Sequence, residues 1–274
     1  MNAASANCVI SLMAYVPAAA LLPAVTFTAL VSVTNFPPTA RPQAGLSFSP
    51  LVFELYIGDG MTRYLALFYG DYPKAAVPDP ADDAGEALAE GVQPPTAEIG
   101  PIRSGRLPYE YIRKLFNGFI VMASAYSKVA AQLDEYVNVF GSDTMDVNSA
   151  LIPVDRLEDI ARANQEELGE FNLSGMAFDA QPPAQGKTAH SLWVFYAYKN
   201  QVFWRYNDED GSFHRWQDNA DGSTFIEQTD RLNGEPLTYE NVIVLFADHE
   251  VENTYLIDIN LLYVKKGKAL LFRD

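Results

Sequence analysis

The first forty residues contain no Asp, Glu, Lys or Arg; the first charge is Arg41. A charge-free stretch of that length is either buried in a folded interior or placed in an apolar environment outside the fold. Its detail favours short extended pieces over one long helix. Pro17 and Pro23 interrupt the apolar run that starts at Cys8, and a proline inside a helix removes a hydrogen bond and clashes with the preceding turn. No Lys or Arg precedes the run, so the positive start of a secretory leader is missing. The apolar residues follow Cys8, whereas a lipid anchor at a cysteine needs them before it. Residues 25–33 are rich in Val and Thr and read as the first buried strand. Residues 1–24 stay open between a leader outside the fold and a part of the fold.

The rest of the chain alternates short β-prone runs with Gly and Pro punctuation. Pro37, Pro38, Pro42 and Gly45 forbid helix and predict an extended loop. Residues 52–57 and 62–69 flank Gly58-Asp59-Gly60-Met61 and read as a hairpin. Residues 71–98 hold seven acids, five prolines and a single base, Lys74, with no apolar period, which predicts a solvated insertion. Helical spacing predicts helices over 108–116, 127–140 and 155–168, the last with Asp155 as cap and Glu158 completing the box. Residues 119–124 read as a strand. After a boundary at 181–186 the pattern turns to β, with strand-like runs at 192–198, 201–206, 212–216, 242–247, 254–262 and 269–272.

The 274 residues carry 19 Lys and Arg against 35 Asp and Glu, a formal net charge of −16. That balance argues against a nucleic-acid partner, because a polyanion repels a polyanion. One Cys excludes a disulfide framework. His190, His214 and His249 are far apart with no ligand spacing, so neither metal nor cofactor is expected. The acidic turns at 208–211 and 218–222 miss the Ca²⁺-loop pattern and read as turn chemistry.

Four ordered blocks carry a likeness to a known family. They are Asn35 with Ala40-Arg41-Pro42-Gln43-Ala44-Gly45-Leu46; Val52-Phe53-Glu54 with Gly58-Asp59-Gly60-Met61-Thr62-Arg63-Tyr64-Leu65-Ala66; Ile99-Gly100-Pro101-Ile102-Arg103-Ser104-Gly105-Arg106; and the C-terminal pieces 204–206, 213–215 and 240–244. Over roughly residues 25–274 the chain resembles the YerB-like lipoprotein family of bacteria, domain-of-unknown-function family 3048. Where the family turn reads Glu-Gly-Gly, this chain has Gly58-Asp59-Gly60, and the Pro-His-Asn stretch expected before the third helix is Val147-Asn148-Ser149. Relatives continue beyond the last strand here, so the C-terminus reads as truncated. The resemblance implies an extracytoplasmic envelope protein with no established activity. Membrane association would come only through a leader or anchor not evident in the chain.

The fold class expected is α+β. An N-terminal α/β layered domain, residues 25–180 with the insertion 71–98, precedes an antiparallel β-rich domain, residues 190–274. The candidate ligand-binding residues are Arg41, Gln43, Arg63, Arg103, Ser104 and Arg106. Arginine presents a planar fork matched to carboxylate or phosphate, and the loop 100–105 leads into a helix start that favours an anion. The first functional reading is a cell-envelope protein that binds an anionic wall component or a wall-assembly partner through these loops. The alternative is a hydrolase or transferase of an anionic envelope polymer, with Glu54 or Asp59 as general base. A third reading has the same arginines pinning Pro/Gly loops by bonding carbonyls and acids. The aromatic residues of 193–216 either fill a β core or stack on sugar rings.

Overall fold

The computed structural model describes residues 7–14, 28–69, 72–73, 97–140, 150–170, 172, 186–251, 259–262 and 267–273. The predicted insertion falls almost wholly outside these residues, as does most of the predicted boundary. The described elements, in order, are β1 (Asn7–Ala14), β2 (Thr28–Thr34), β3 (Leu51–Gly58), β4 (Met61–Tyr69), β5 (Glu98–Ile99), α1 (Pro108–Phe116), β6 (Ile120–Met122), α2 (Ser127–Ala130), β7 (Tyr136–Asn138), β8 (Ile152–Pro153) and α3 (Val154–Leu168). The C-terminal part adds β9 (Ser191–Ala197), β10 (Asn200–Asn207), β11 (Ser212–Asp218), β12 (Phe225–Glu227), β13 (Thr238–Tyr239), β14 (Asn241–Val251), β15 (Ile259–Leu262) and β16 (Lys268–Arg273). The architecture is mixed α+β and rich in strands.

The large sheet runs β15-β14-β1-β3-β4-β2-β6-β7, with β16 on β14. The charge-free N-terminus supplies two of its internal strands. β2 is buried along its whole length, as expected of a strand covered on both faces. β1 lies between β14 and β3, antiparallel to both. Residues 7–14, which the sequence left open as leader or fold, are therefore part of the fold. The C-terminal strands do not all form a separate unit either. β14, β15 and β16 belong to the large sheet, and only β9 to β13 make a second one, ordered β12-β11-β10-β9 with β13 on β11. Pairing across the chain, which local sequence does not display, joins strands of both halves into the large sheet.

Strand alternation then sets the layers. On one face of the large sheet, Ala29, Val31, Val33, Val52, Tyr64, Ala66 and Phe68 pack with Leu157 and Ala161 of α3 and with Val194, Val202, Trp204 and Phe213 of the second sheet. On the other face, Leu30, Phe53, Leu55, Leu65 and Leu67 pack with Tyr109, Ile112 and Phe116 of α1 and Val129 of α2. Glu54 and Thr62 share the first face. Arg63, between Thr62 and Tyr64, is directed to the second.

Two local expectations hold closely. α1 starts at Pro108, where proline costs no hydrogen bond, and ends at Asn117 in the left-handed conformation. The hairpin turns at Asp59-Gly60, both with positive φ (49° and 74°), the geometry that matches strand twist. A side chain on Gly60 would also meet Ala197 Cβ at 2.8 Å. Others fail. The helix expected over 127–140 stops at Ala130. Residues 136–138 instead pair in parallel with β6, and the Ile120 amide donates to the Glu135 carbonyl at 3.0 Å. Tertiary pairing wins there over a helical period. α3 begins one residue before Asp155, whose carboxylate accepts from the Arg156 amide in the first turn rather than acting as cap. Among the described residues no helix is long and apolar enough to cross a membrane.

Candidate functional site

The most concentrated polar chemistry lies between the two sheets. Glu54 on β3 has no exposed surface. Its Oε1 accepts from Thr62 Oγ1 at 2.8 Å and Asn35 Nδ2 at 3.2 Å, and its Oε2 accepts from Arg215 Nη2 at 3.0 Å. Arg215, on β11, is 1% exposed and donates through Nη1 to Gln217 Oε1 at 2.8 Å. Gln217 Nε2 donates to Asn200 Oδ1 at 3.0 Å. Asn200 Nδ2 closes the ring by donating to Thr62 Oγ1 at 3.3 Å and to the Gly60 carbonyl at 2.9 Å. Five side chains thus form a cycle across the interface. Arg215 is further held over the rings of Tyr64 and Trp204, at 5.4 and 5.7 Å. Burial alone would lower its pKa, but Glu54 and Tyr64 outweigh it and hold the guanidinium above its usual value.

Arg41 joins the cluster from the loop after β2. Its Nε donates to the carbonyl and Oδ1 of Asn35, each at 3.2 Å, and its Nη1 to the Asp218 carbonyl at 2.9 Å. Its guanidinium lies 4.8 Å from the Phe36 ring centre. Burial pulls its pKa down to about 10, so it stays charged at neutral pH. Gln43 Nε2 donates to the Thr34 carbonyl at 3.0 Å. Several buried atoms here have no hydrogen-bond partner among the described residues: Arg41 Nη2, Gln43 Oε1, Tyr64 Oη and Arg215 Nε. Buried polar atoms in that state are unusual and costly.

The C-terminal half also clamps this loop from outside. Asp230, buried, accepts from the Gly45 amide at 2.9 Å and from the Ser47 amide and hydroxyl, each at 2.8 Å. The Arg231 amide donates to the Gln43 carbonyl at 2.7 Å, and Arg231 Nε to the Pro42 carbonyl at 3.0 Å. The Tyr239 hydroxyl donates to the Leu46 carbonyl at 3.1 Å.

The other arginines lie elsewhere. Arg63 points to the α1 face, where its Nη1 donates to the Ser104 carbonyl at 2.7 Å. The same carbonyl accepts from Ser32 Oγ at 3.3 Å, and Ser104 itself is buried. Arg106 and Arg63 both act on the buried Tyr109 phenol, which burial holds above its usual pKa. The Arg103 amide donates to the Ser32 carbonyl at 2.9 Å. The structure therefore gathers Arg41 and Gln43 with Glu54 on one face of the sheet, and Arg63, Ser104 and Arg106 on the other. No single cleft joins all four arginines. Gly100, in the loop before them, has φ +140°, and a Cβ there would meet the Ile102 amide nitrogen at 2.8 Å.

The candidate acids divide as well. Asp59 is exposed at the hairpin tip. Glu54 is sealed, with both oxygens bonded, whereas a general base must come within hydrogen-bond reach of the proton it removes. The geometry makes Glu54 the hub of the interface. Sequence reasoning passed over Arg215, Asn200, Thr62 and Asp230 as site residues. Arg215 and Thr62 stood inside the blocks that carry the family likeness; Asp230 and Asn200 left no signal. The acid turns use their carboxylates on backbone, Asp218 Oδ1 accepting from the Asp221 and Gly222 amides at 3.0 Å.

The N-terminal domain described as "Protein of unknown function (DUF3048)" matches residues 24–79, and the C-terminal domain of the same description matches residues 192–274. The chain belongs to this family. It is 24% identical over 258 residues to "Putative lipoprotein YerB" of Bacillus subtilis (strain 168), a match covering 88% of this chain and 68% of that protein. The crystal structure of YerB from Bacillus subtilis superposes with a TM-score of 0.66 at 22% identity, over 91% of this chain and 79% of that one. The likeness in structure shows a shared fold. The two matched domains are the regions that the Glu54–Arg215 pair and the Asp230 clamp tie together.

Proposed function

We propose that the chain is a non-enzymatic, extracytoplasmic bacterial envelope protein that binds an anionic group of a wall component or wall-assembly partner through its arginine loops. The lipoprotein name of the Bacillus relative supports the location. The observation that carries the binding reading is at Arg41. Two guanidiniums, Arg41 and Arg215, share the Glu54 carboxylate's surroundings, and Arg41 Nη2 is buried without a partner among the described residues. An incoming carboxylate or phosphate would satisfy that donor. The Ser104 loop, with Arg103 and Arg106, is a second point of attachment on the opposite face of the sheet.

The reading is tested by calorimetric titration of the full chain with a soluble, carboxylate-bearing muropeptide. Arg41→Met and Arg103→Ala are compared with the parent, each checked for a cooperative melt. Binding lost in Arg41→Met alone assigns the ligand to the inter-sheet loop; loss in Arg103→Ala alone assigns it to the other face. Unchanged binding in both ends the proposal, as does absence of binding by the parent.

A further inference from the structure

The outer face of the second sheet is aromatic where a solvated sheet face is ordinarily polar. The register places Trp193 of β9 beside Phe203 of β10, and Phe203 beside Trp216 of β11. Their sequence neighbours Val194, Val202, Trp204, Arg215 and Gln217 are buried, so by alternation the three rings point away from the interior. Phe195 extends the row, its ring meeting Trp193 edge-on at 6.2 Å. Trp193 is 61% exposed and Phe195 57%. The inward positions are already filled by Trp204, Val202, Val194 and Phe213, so these outer rings are surplus to the core.

We infer that this row is a stacking platform for a neutral, N-acetylated saccharide chain. Adjacent strands are roughly 4.8 Å apart, so three aromatic side chains in register form an apolar strip about 10 Å long across the strands. That strip suits two successive sugar rings, whose C–H faces are apolar while their edges carry hydroxyls. The polar edge is met on the same sheet face: Arg205 and His214 form the adjacent cross-strand pair, and Glu227 stands opposite Trp216. Charge selects among amphiphilic partners. Residues 190–274 hold 14 acids against eight bases, which repels anionic lipid and anionic polymer alike and leaves an uncharged chain as the matching ligand. This surface is distinct from the arginine loops and does not depend on them.

The test is titration of the full chain with a neutral oligomer of N-acetylglucosamine, read by tryptophan fluorescence and calorimetry. A saturable signal is expected from the parent. Removing one stacking ring, Trp193→Ala, should weaken binding by roughly tenfold, while Trp193→Tyr keeps most of it and Arg41→Met leaves it unchanged. Trp193 is mostly outside the core, so the variant should melt as the parent does, and Phe195→Ser provides a second exposed variant. The inference is overturned by no saturable signal at millimolar oligomer, by equal affinity in Trp193→Ala and Phe195→Ser, or by partition into phosphatidylcholine vesicles with no response to the saccharide.

Discussion

Two charged clusters of similar make-up sit on opposite faces of the large sheet. In one, Glu54 meets Arg215 across 161 positions of sequence, between the sheets and out of water. In the other, Glu110 on α1 meets Arg113 in two bonds, at 2.6 and 2.9 Å, and Lys114 at 3.0 Å, while Lys114 also reaches Asp134 at 3.1 Å. The second cluster has more ion pairs within hydrogen-bond distance, yet it holds only a helix to the segment that follows. Its partners lie three, four and 24 residues from Glu110. The first holds the two matched family domains together. Number of contacts is therefore a poor guide to importance; what decides is how much water is excluded and how far apart in sequence the partners are.

The largest effect should follow from breaking the buried pair. Glu54→Gln strips the carboxylate and leaves Arg215 charged, buried and without its counter-ion. Removing one partner of such a pair costs about 3–5 kcal/mol, so denaturant unfolding should show a large fall in midpoint. Combining Glu54→Gln with Arg215→Met should recover most of it, because the stranded charge is gone. If the two losses simply add, the pair is not coupled and the contrast with the α1 cluster collapses. Next in size is Asn200→Ala, which orphans Gln217 Nε2 and removes a donor from the Gly60 carbonyl. A buried group left unsatisfied costs roughly 1–3 kcal/mol, again read as a midpoint shift.

The α1 cluster should answer more weakly. Glu110→Gln keeps the packing of α1; Glu110 and Arg113 are both buried, but Arg113 keeps the Gly118 carbonyl at 3.2 Å and the exposed Asp134 at 3.8 Å, so the cost is expected to be about 1–3 kcal/mol, below that of Glu54→Gln. Burial would raise the Glu110 pKa, but the bonds from Arg113 and Lys114 win and hold it down to about 2. Its contribution is present above the ordinary carboxylate range and is lost as pH falls toward 2. Acid titration of stability should lose that step in Glu110→Gln. A cost as large as that of Glu54→Gln would erase the distinction between the clusters.

How much of this was legible in the sequence differs in the same way. α1, the Asp59-Gly60 hairpin and the strands of 191–218 follow from local rules: proline at a helix start, positive φ at a turn, alternation in a strand. The Arg, Pro and Gly loops could be picked out as special, and the family likeness rests on them. What they do could not be read, because their partners, Arg215, Asp230, Arg231 and Tyr239, lie more than 150 positions away. Strand alternation also scattered the arginines: Arg63 follows Thr62, so the two must face opposite ways. A pattern of residue types shows that a place is constrained; only topology shows against what.

The smallest expected effect is at a third charged group, on the rim of the second sheet. His214 stands between Asp210, 2.7 Å from Nε2, and Glu227, 2.9 Å from Nδ1. Burial alone would lower its pKa, but the hydrogen bonds to the two carboxylates prevail and the net shift is upward. The Asp210 carboxyl is correspondingly held below its ordinary value, partial burial being outweighed by the bond from His214. The signs follow. The imidazolium contributes fully below the unfolded histidine pKa of about 6.5, and the contribution fades as pH rises through the higher folded value. The Asp210 contribution is present above about 3.9 and fades as pH falls. Stability from this trio should therefore peak between those limits and decline on the alkaline side. His214→Gln should flatten that decline, with a shift smaller than any above, because the site is open to solvent on the sheet face. An NMR titration of the imidazole checks the cause directly. A pKa at or below the free value would mean that the two carboxylates do not hold the ring, and that exclusion of water, as around Glu54 and Arg215, is needed before a charged contact in this fold matters.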